Sequence, residues 1–164
     1  MRDNYVGDVG DFYKYSLLRQ LCGATGGGSK RKLGVVWYLY PDSCKDTDGL
    51  HLAYLSPQKH EEYRTADSEL YDKLSQLIAA DARLVAEVRK RNLLPKGTAF
   101  FEEPLSLSHL PKGTKAATEQ RLEHRRAWLE RSLKATKDCD IVFFDPDNGL
   151  EVASVKPHQD KGPK

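Results

Sequence analysis

Two short, unbroken apolar runs constrain this chain more than any other feature. Leu33–Tyr40 reads LGVVWYLY and Ile141–Phe144 reads IVFF, and neither alternates apolar with polar residues. A strand with one face in water alternates. Unbroken β-branched and aromatic runs therefore predict strands covered on both faces, as in a parallel sheet. The chain around them carries helical spacing and turn signals. A first helix is predicted over 9–22, with Phe12, Leu17, Leu18, Leu21 and Cys22 as its apolar stripe, Asp8 at its N-cap and Asp11 three residues later. The glycine-rich link 23–29 ends it. A long helical pattern spans 67–92, with Leu70, Leu74, Leu77, Ile78, Leu84, Val85 and Val88 inward, and Pro95-Lys96-Gly97 closes it. Thr98–Phe101 predicts a short strand running into Glu102-Glu103-Pro104, and a basic helix follows over about 116–136, with Leu122, Trp128, Leu129 and Leu133 able to face a core. The order of helix and strand, three times repeated, predicts an α/β fold: an open, mostly parallel sheet with flanking helices.

A length of 164 residues suits one domain, and a chain near that size buries about two thirds of its unfolded surface. The expected division is an N-terminal helix and glycine-rich link (1–32), the sheet with its helices (33–151) and an irregular tail (152–164). No apolar run approaches the roughly 20 residues that span a bilayer, so no membrane partner is expected. Met1-Arg2-Asp3-Asn4 opens no secretory signal. The cysteines Cys22, Cys44 and Cys139 lack CxxC spacing and read as reduced thiols, which places the protein in the cytoplasm. The five histidines lack zinc-ligand spacing, so no structural metal is expected. Gly26–Lys30 follows a helix and precedes a strand, the reverse of a phosphate loop. Asp46-Thr47-Asp48-Gly49 lacks the acid and the glutamate that a calcium loop needs at 44 and 55.

The net charge of +2 hides an asymmetry. Lys112–Lys137 holds eight basic residues against three acidic ones, whereas Asp138–Glu151 holds five acidic residues and no basic one. A charged helix is usually a solvated face; read functionally, this one would meet nucleic-acid phosphates. The densest chemical signal is Asp145-Pro146-Asp147-Asn148-Gly149. An apolar strand delivers Asp145 to its carboxyl end, Pro146 stops further pairing, and Asn148-Gly149 turns the chain. Ligands of open α/β sheets sit outside strand carboxyl ends, so Asp145 and Asp147 mark the expected site; the competing reading is a well-made turn. A second signal is Tyr5–Tyr15, where Asp8, Asp11 and Lys14 share one helix face at a spacing of three. On composition alone, helix capping and a surface ion pair are the favoured explanation of that pattern.

These blocks, Asn4–Asp11 with Lys14-Tyr15, LGVVWYLYPD and FFDPDNGLEV, resemble an uncharacterised bacterial family. More distantly the chain resembles the bacterial methyltransferases that modify N6 of an adenine in 23S ribosomal RNA. The resemblance implies a Rossmann-like methyltransferase fold, with S-adenosylmethionine as cofactor and nucleic acid as substrate. Gly7, Asp8, Asp11 and Lys14 match the opening motif, with Asp8 in place of an asparagine, and Asp8, Asp11 and Lys14 become candidate substrate-binding residues. Val35–Asp42 stands where the cofactor loop begins, which assigns Tyr40 and Asp42 to the cofactor. Asp145-Pro146-Asp147-Asn148 stands on the catalytic Asp-Pro-Pro-Tyr motif. Two departures are plain: Tyr40-Pro41-Asp42-Ser43-Cys44 replaces a glycine-rich loop, and Asn148 replaces the aromatic residue that stacks on the base.

N-methylation requires acceptors that orient the exocyclic amine and receive its proton, and the Asp145 carboxylate with the Pro146 carbonyl would supply them. Glu102 or Glu103 at the neighbouring strand end would hold ribose or adenine groups of the cofactor. A flipped adenine would stack on Tyr5 or Tyr40. Two alternatives stand beside this. Asp145, Asp147, Glu151 and Lys156 could serve a Mg²⁺-dependent nuclease, although their spacing suits it poorly. The chain could otherwise be a non-catalytic module binding nucleic acid or a protein. Because only three strong strands are visible, a C-terminally truncated sheet with exposed edges is also expected. Oligomeric state has no signature here.

Overall fold

The computed structural model describes residues 2–24, 30–39 and 49–146. Within them run α1 (Val9–Leu21), β1 (Leu33–Trp37), α2 (His60–Ala66), α3 (Ser68–Ala79), α4 (Val85–Lys90), β2 (Ala99–Phe101), α5 (Lys115–Ala135) and β3 (Ile141–Asp145). The architecture is mixed α/β. Its strands form a small open parallel sheet in the order β2-β1-β3, with Gly34 of β1 opposite Ala99 of β2 and Val36 opposite Phe101. The described residues gather into two compact units, a sheet unit (34–39 and 99–146) and a helical unit (2–24, 30–33 and 49–98). Among them no helix is long and apolar enough to cross a membrane.

In the sheet unit, side chains alternate across the pleat, and Val36 and Tyr38 join Phe101, Leu105, Leu107 and Trp128 in one buried cluster. Trp128 of α5 is its centre: the indole lies 4.6 Å from the Tyr38 ring and 5.3 Å from Phe101, and its N–H donates to the Glu103 carbonyl at 2.8 Å. A buried tryptophan needs that acceptor. Thr114 caps α5 by accepting from the Ala117 amide at 3.1 Å. Arg121, also buried, donates to the Leu107 carbonyl at 2.7 Å and so straps the 105–110 loop to α5. Gly34 is required where the end of α5 meets β1, because a Cβ there would stand 2.9 Å from Thr136 Cβ.

Expectation and structure part at two places in this unit. Only β1 is buried at every residue; β3 is half-buried throughout, because it stands at the end of the strand order with β1 as its neighbour. On α5 only Trp128 of the four predicted core residues is buried, and Leu122, Leu129 and Leu133 are 40%, 40% and 49% exposed. The face of α5 that turns inward carries Ala117, Arg121, Trp128 and Ser132 instead.

The helical unit is closed by caps. Asp8 accepts from the Asp11 amide at 3.0 Å to start α1, and Asp67 accepts from the Leu70 amide at 3.0 Å to start α3. Three helices end alike. Gly23, Asp81 and Asn92 take positive φ, and the next residue in each case donates back five positions: Ala24 to Arg19, Ala82 to Leu77, Leu93 to Val88. The Asp81 cap splits the helix predicted over 67–92 into α3 and α4, and α2 lies ahead of them where no helix was expected. The α1 stripe is also rotated from its prediction. Phe12, Leu18 and Cys22 are buried, but Leu17 and Leu21 are exposed while Tyr15 and Arg19 lie inside. Arg19 is admitted because Asp67 and Glu69 each accept from its guanidinium at 2.7 Å. Together with Lys73, Arg19 holds the Glu69 carboxyl below its ordinary range, the Lys73 hydrogen bond acting most strongly.

Candidate functional site

The predicted site residues fall on two structural features, one in each unit. In the helical unit they sit at the start of α1. Gly7 adopts φ +86°, a backbone that favours glycine, and an added Cβ would meet Ile78 Cδ1 at 2.8 Å. This turn aims the Gly7 amide at Asp11, whose Oδ2 accepts from it at 3.2 Å and from the Tyr15 hydroxyl at 3.0 Å. Lys14 Nζ lies 2.8 Å from the other carboxylate oxygen. Asp11 is fully buried, so its pair with Lys14 is no surface ion pair as the capping reading supposed. The capping box is displaced by one residue: Asp11 receives the Gly7 amide instead of the Asp8 amide.

Sequence reading missed the residues that hold this turn. Tyr54, from the short 3₁₀ turn Ala53–Leu55, donates its hydroxyl to the Gly7 carbonyl at 2.9 Å. Burial, followed by the charges of Asp11 and Asp8, pushes the Tyr54 phenol well above its ordinary range, so it stays a donor. Arg83 donates to the carbonyls of Val6 (2.8 Å), Asn4 and Gly49. Its only sequence signal is position, a lone arginine after the α3 cap. Lys14, a third exposed, and the half-buried Asp8 are the members of the trio that solvent reaches.

In the sheet unit the candidates lie at the carboxyl edge of the sheet. Glu102 and Glu103 follow β2, and Asp145 and Pro146 close β3; the end of β1 lies between them in the strand order. The two glutamates are not equivalent. Arg131 of α5 grips Glu103 through both carboxylate oxygens, at 3.0 and 2.6 Å, and holds its carboxyl below the ordinary range. Glu102 is half-buried, as are Asp145 and Pro146. Beside this clamp the His109 and His124 rings stand edge to face at 5.3 Å. Burial first, then His109 and Arg131, pull the His124 imidazole below its ordinary value, against the opposing charge of Glu103.

Tyr40, Asp42, Asp147 and Asn148 lie outside the described residues, as do Glu151, Lys156 and the 152–164 tail. Among the described residues no group of three or more histidine, cysteine, aspartate or glutamate side chains could hold a metal ion. Comparison of the chain with protein-family models, with curated proteins and with solved structures finds no match in any of the three.

Proposed function

We propose that the protein is a Rossmann-like, S-adenosylmethionine-dependent methyltransferase acting on nucleic acid, with the exocyclic amine of adenine as acceptor. One observation carries this reading. The chain crosses to one side of β1 for β2 and to the other for β3, so the strand order reverses at β1. This reversal of strand order is where doubly wound sheets bind nucleotides. Acidic acceptors stand at the ends of the strands on either side of β1, Glu102 after β2 and Asp145 on β3. They suit the donor-rich ribose and amine groups of the two substrates.

S-adenosylmethionine would supply an electrophilic methyl sulfonium. Glu102, half-buried at the end of β2, would accept from the ribose hydroxyls, while Glu103 is held against α5 by Arg131. Asp145 and the Pro146 carbonyl would accept from the adenine amine and hold its lone pair toward the methyl group, and Asp145 would take up the proton. Asp147 and Asn148 remain candidate catalytic residues on the motif alone. The opening cluster would present Lys14 and Asp8 to the substrate while Asp11 holds the turn.

Calorimetric titration of S-adenosylhomocysteine tests this. Micromolar binding is expected, weakened about tenfold (~1.4 kcal/mol) by Glu102→Gln and little by Glu103→Gln. Asp145→Ala should keep nucleoside binding and lose methyl transfer to single-stranded RNA. No heat from a folded sample would overturn the reading, and heat from Mn²⁺ or Mg²⁺ alone would favour phosphodiester cleavage at Asp145 and Asp147.

A further inference from the structure

We propose that Tyr13 and Tyr63 form an oxidative modification site, a tyrosine pair that one-electron oxidation joins into a dityrosine linking α1 to α2. Tyr13 is 56% exposed and Tyr63 half-buried, so a solvent-borne oxidant reaches the pair. Their hydroxyl oxygens lie 3.3 Å apart although the ring centroids are 5.8 Å apart, so the rings converge at their hydroxyl ends. In a phenoxyl radical the unpaired electron spreads from oxygen to the two ortho carbons, the atoms beside those ends. Both rings are held in place from beneath. Phe12 packs against Tyr13 at 5.8 Å and Tyr63 at 5.4 Å, and Tyr54 supports Tyr63 at 5.4 Å. The deeper phenols, Tyr54 and Tyr71, are buried. Coupling two radicals already in contact is a unimolecular step, and such preorganisation is worth many orders of magnitude over encounter in solution.

The oxidant is hydrogen peroxide acting through a haem peroxidase. Each phenol gives up one electron and one proton. The two radicals form a carbon–carbon bond between ortho carbons, and each ring then returns its ortho hydrogen to oxygen. The protein loses two hydrogens in all, and one peroxide becomes two waters.

Oxidation of the dilute full chain should give a monomeric product with blue dityrosine emission, two hydrogens lighter, and a single linked peptide pair containing Tyr13 and Tyr63. Tyr13→Phe or Tyr63→Phe should each lower that emission at least tenfold, and unfolding in urea before oxidation should abolish the monomeric product. Mapping of the linked peptides in the unaltered protein decides the matter even if a variant misfolds. Emission confined to dimers, a link between other tyrosines, or emission surviving in both variants would each overturn the proposal.

Discussion

The helical unit buries a charge pair between side chains, Arg19 with Asp67, whereas in the sheet unit the buried Arg121 is met by backbone carbonyls and three leucines of α5 stand in water. Asp11, Arg19 and Asp67 are buried with partners from other turns of chain, while Leu122, Leu129 and Leu133 stand exposed along α5. Hydrophobicity alone would assign these residues the other way round. The difference teaches that burial here follows from what stands opposite a side chain. An arginine with two carboxylates facing it is admitted to an interior, whereas a leucine with no opposing surface in its unit stays in water.

Substitutions that make the same nominal change in both units should separate them. Trp128→Ala has the largest expected effect, a loss of about 4 kcal/mol, since it empties the centre of the sheet cluster and strands the Glu103 carbonyl. Asp11→Ala should cost about 3 kcal/mol by leaving the Gly7 amide and the Tyr15 hydroxyl without their shared acceptor. Urea unfolding checks both; an Asp11→Ala loss under 1 kcal/mol would erase the contrast between the units. Gly7→Ala should cost about 1–2 kcal/mol, mainly through its positive φ, because the Ile78 terminus can move aside.

Acid should sharpen the comparison further. The folded His124 titrates below its ordinary 6.5, so the unfolded chain takes up the proton first and stability falls as pH drops through that value. Glu69 and Glu103 are depressed carboxyls whose contribution is lost only below their ordinary 4.5, outside that window. The thermal midpoint should therefore fall between about pH 7.5 and pH 5.5, and His124→Gln should flatten the fall. An unchanged slope in that variant would remove His124 from the account. The smallest effect belongs to Leu129→Ala, within about 0.5 kcal/mol, where the same deletion at Leu74 would cost several times more.

Element type and order were largely legible in the sequence. β2, β3, α1 and α5 lie within a residue or so of their predicted spans, because unbroken apolar runs and Asp or Thr caps are local signals; β1 begins as predicted but ends at Trp37, short of the Tyr40 expected. The split between α3 and α4 was not, since it depends on Asp81 taking a backbone that usually belongs to glycine. The rotated face of α1 was hidden for another reason: Arg19 goes inside only because Asp67, some fifty residues away, meets it. At the candidate site, the proximity of Asp8, Asp11 and Lys14 followed from helical spacing. The inequality of Glu102 and Glu103 did not, because it depends on Arg131 of another element. Tyr54 and Arg83 grip the Gly7 turn from distant sequence, and no spacing rule reaches them.

The path of the chain through its two units has a consequence at the ribosome. β1 ends at Trp37, and the strand it pairs with begins at Ala99. At about 5–20 residues per second, translation leaves this apolar run without its partner for roughly 3–12 s while the second part of the helical unit is made. During that interval LGVVW is an unclaimed strand. A chaperone that shields nascent apolar segments would have its most lasting engagement there, and slowing synthesis between residues 50 and 98 would lengthen the exposure.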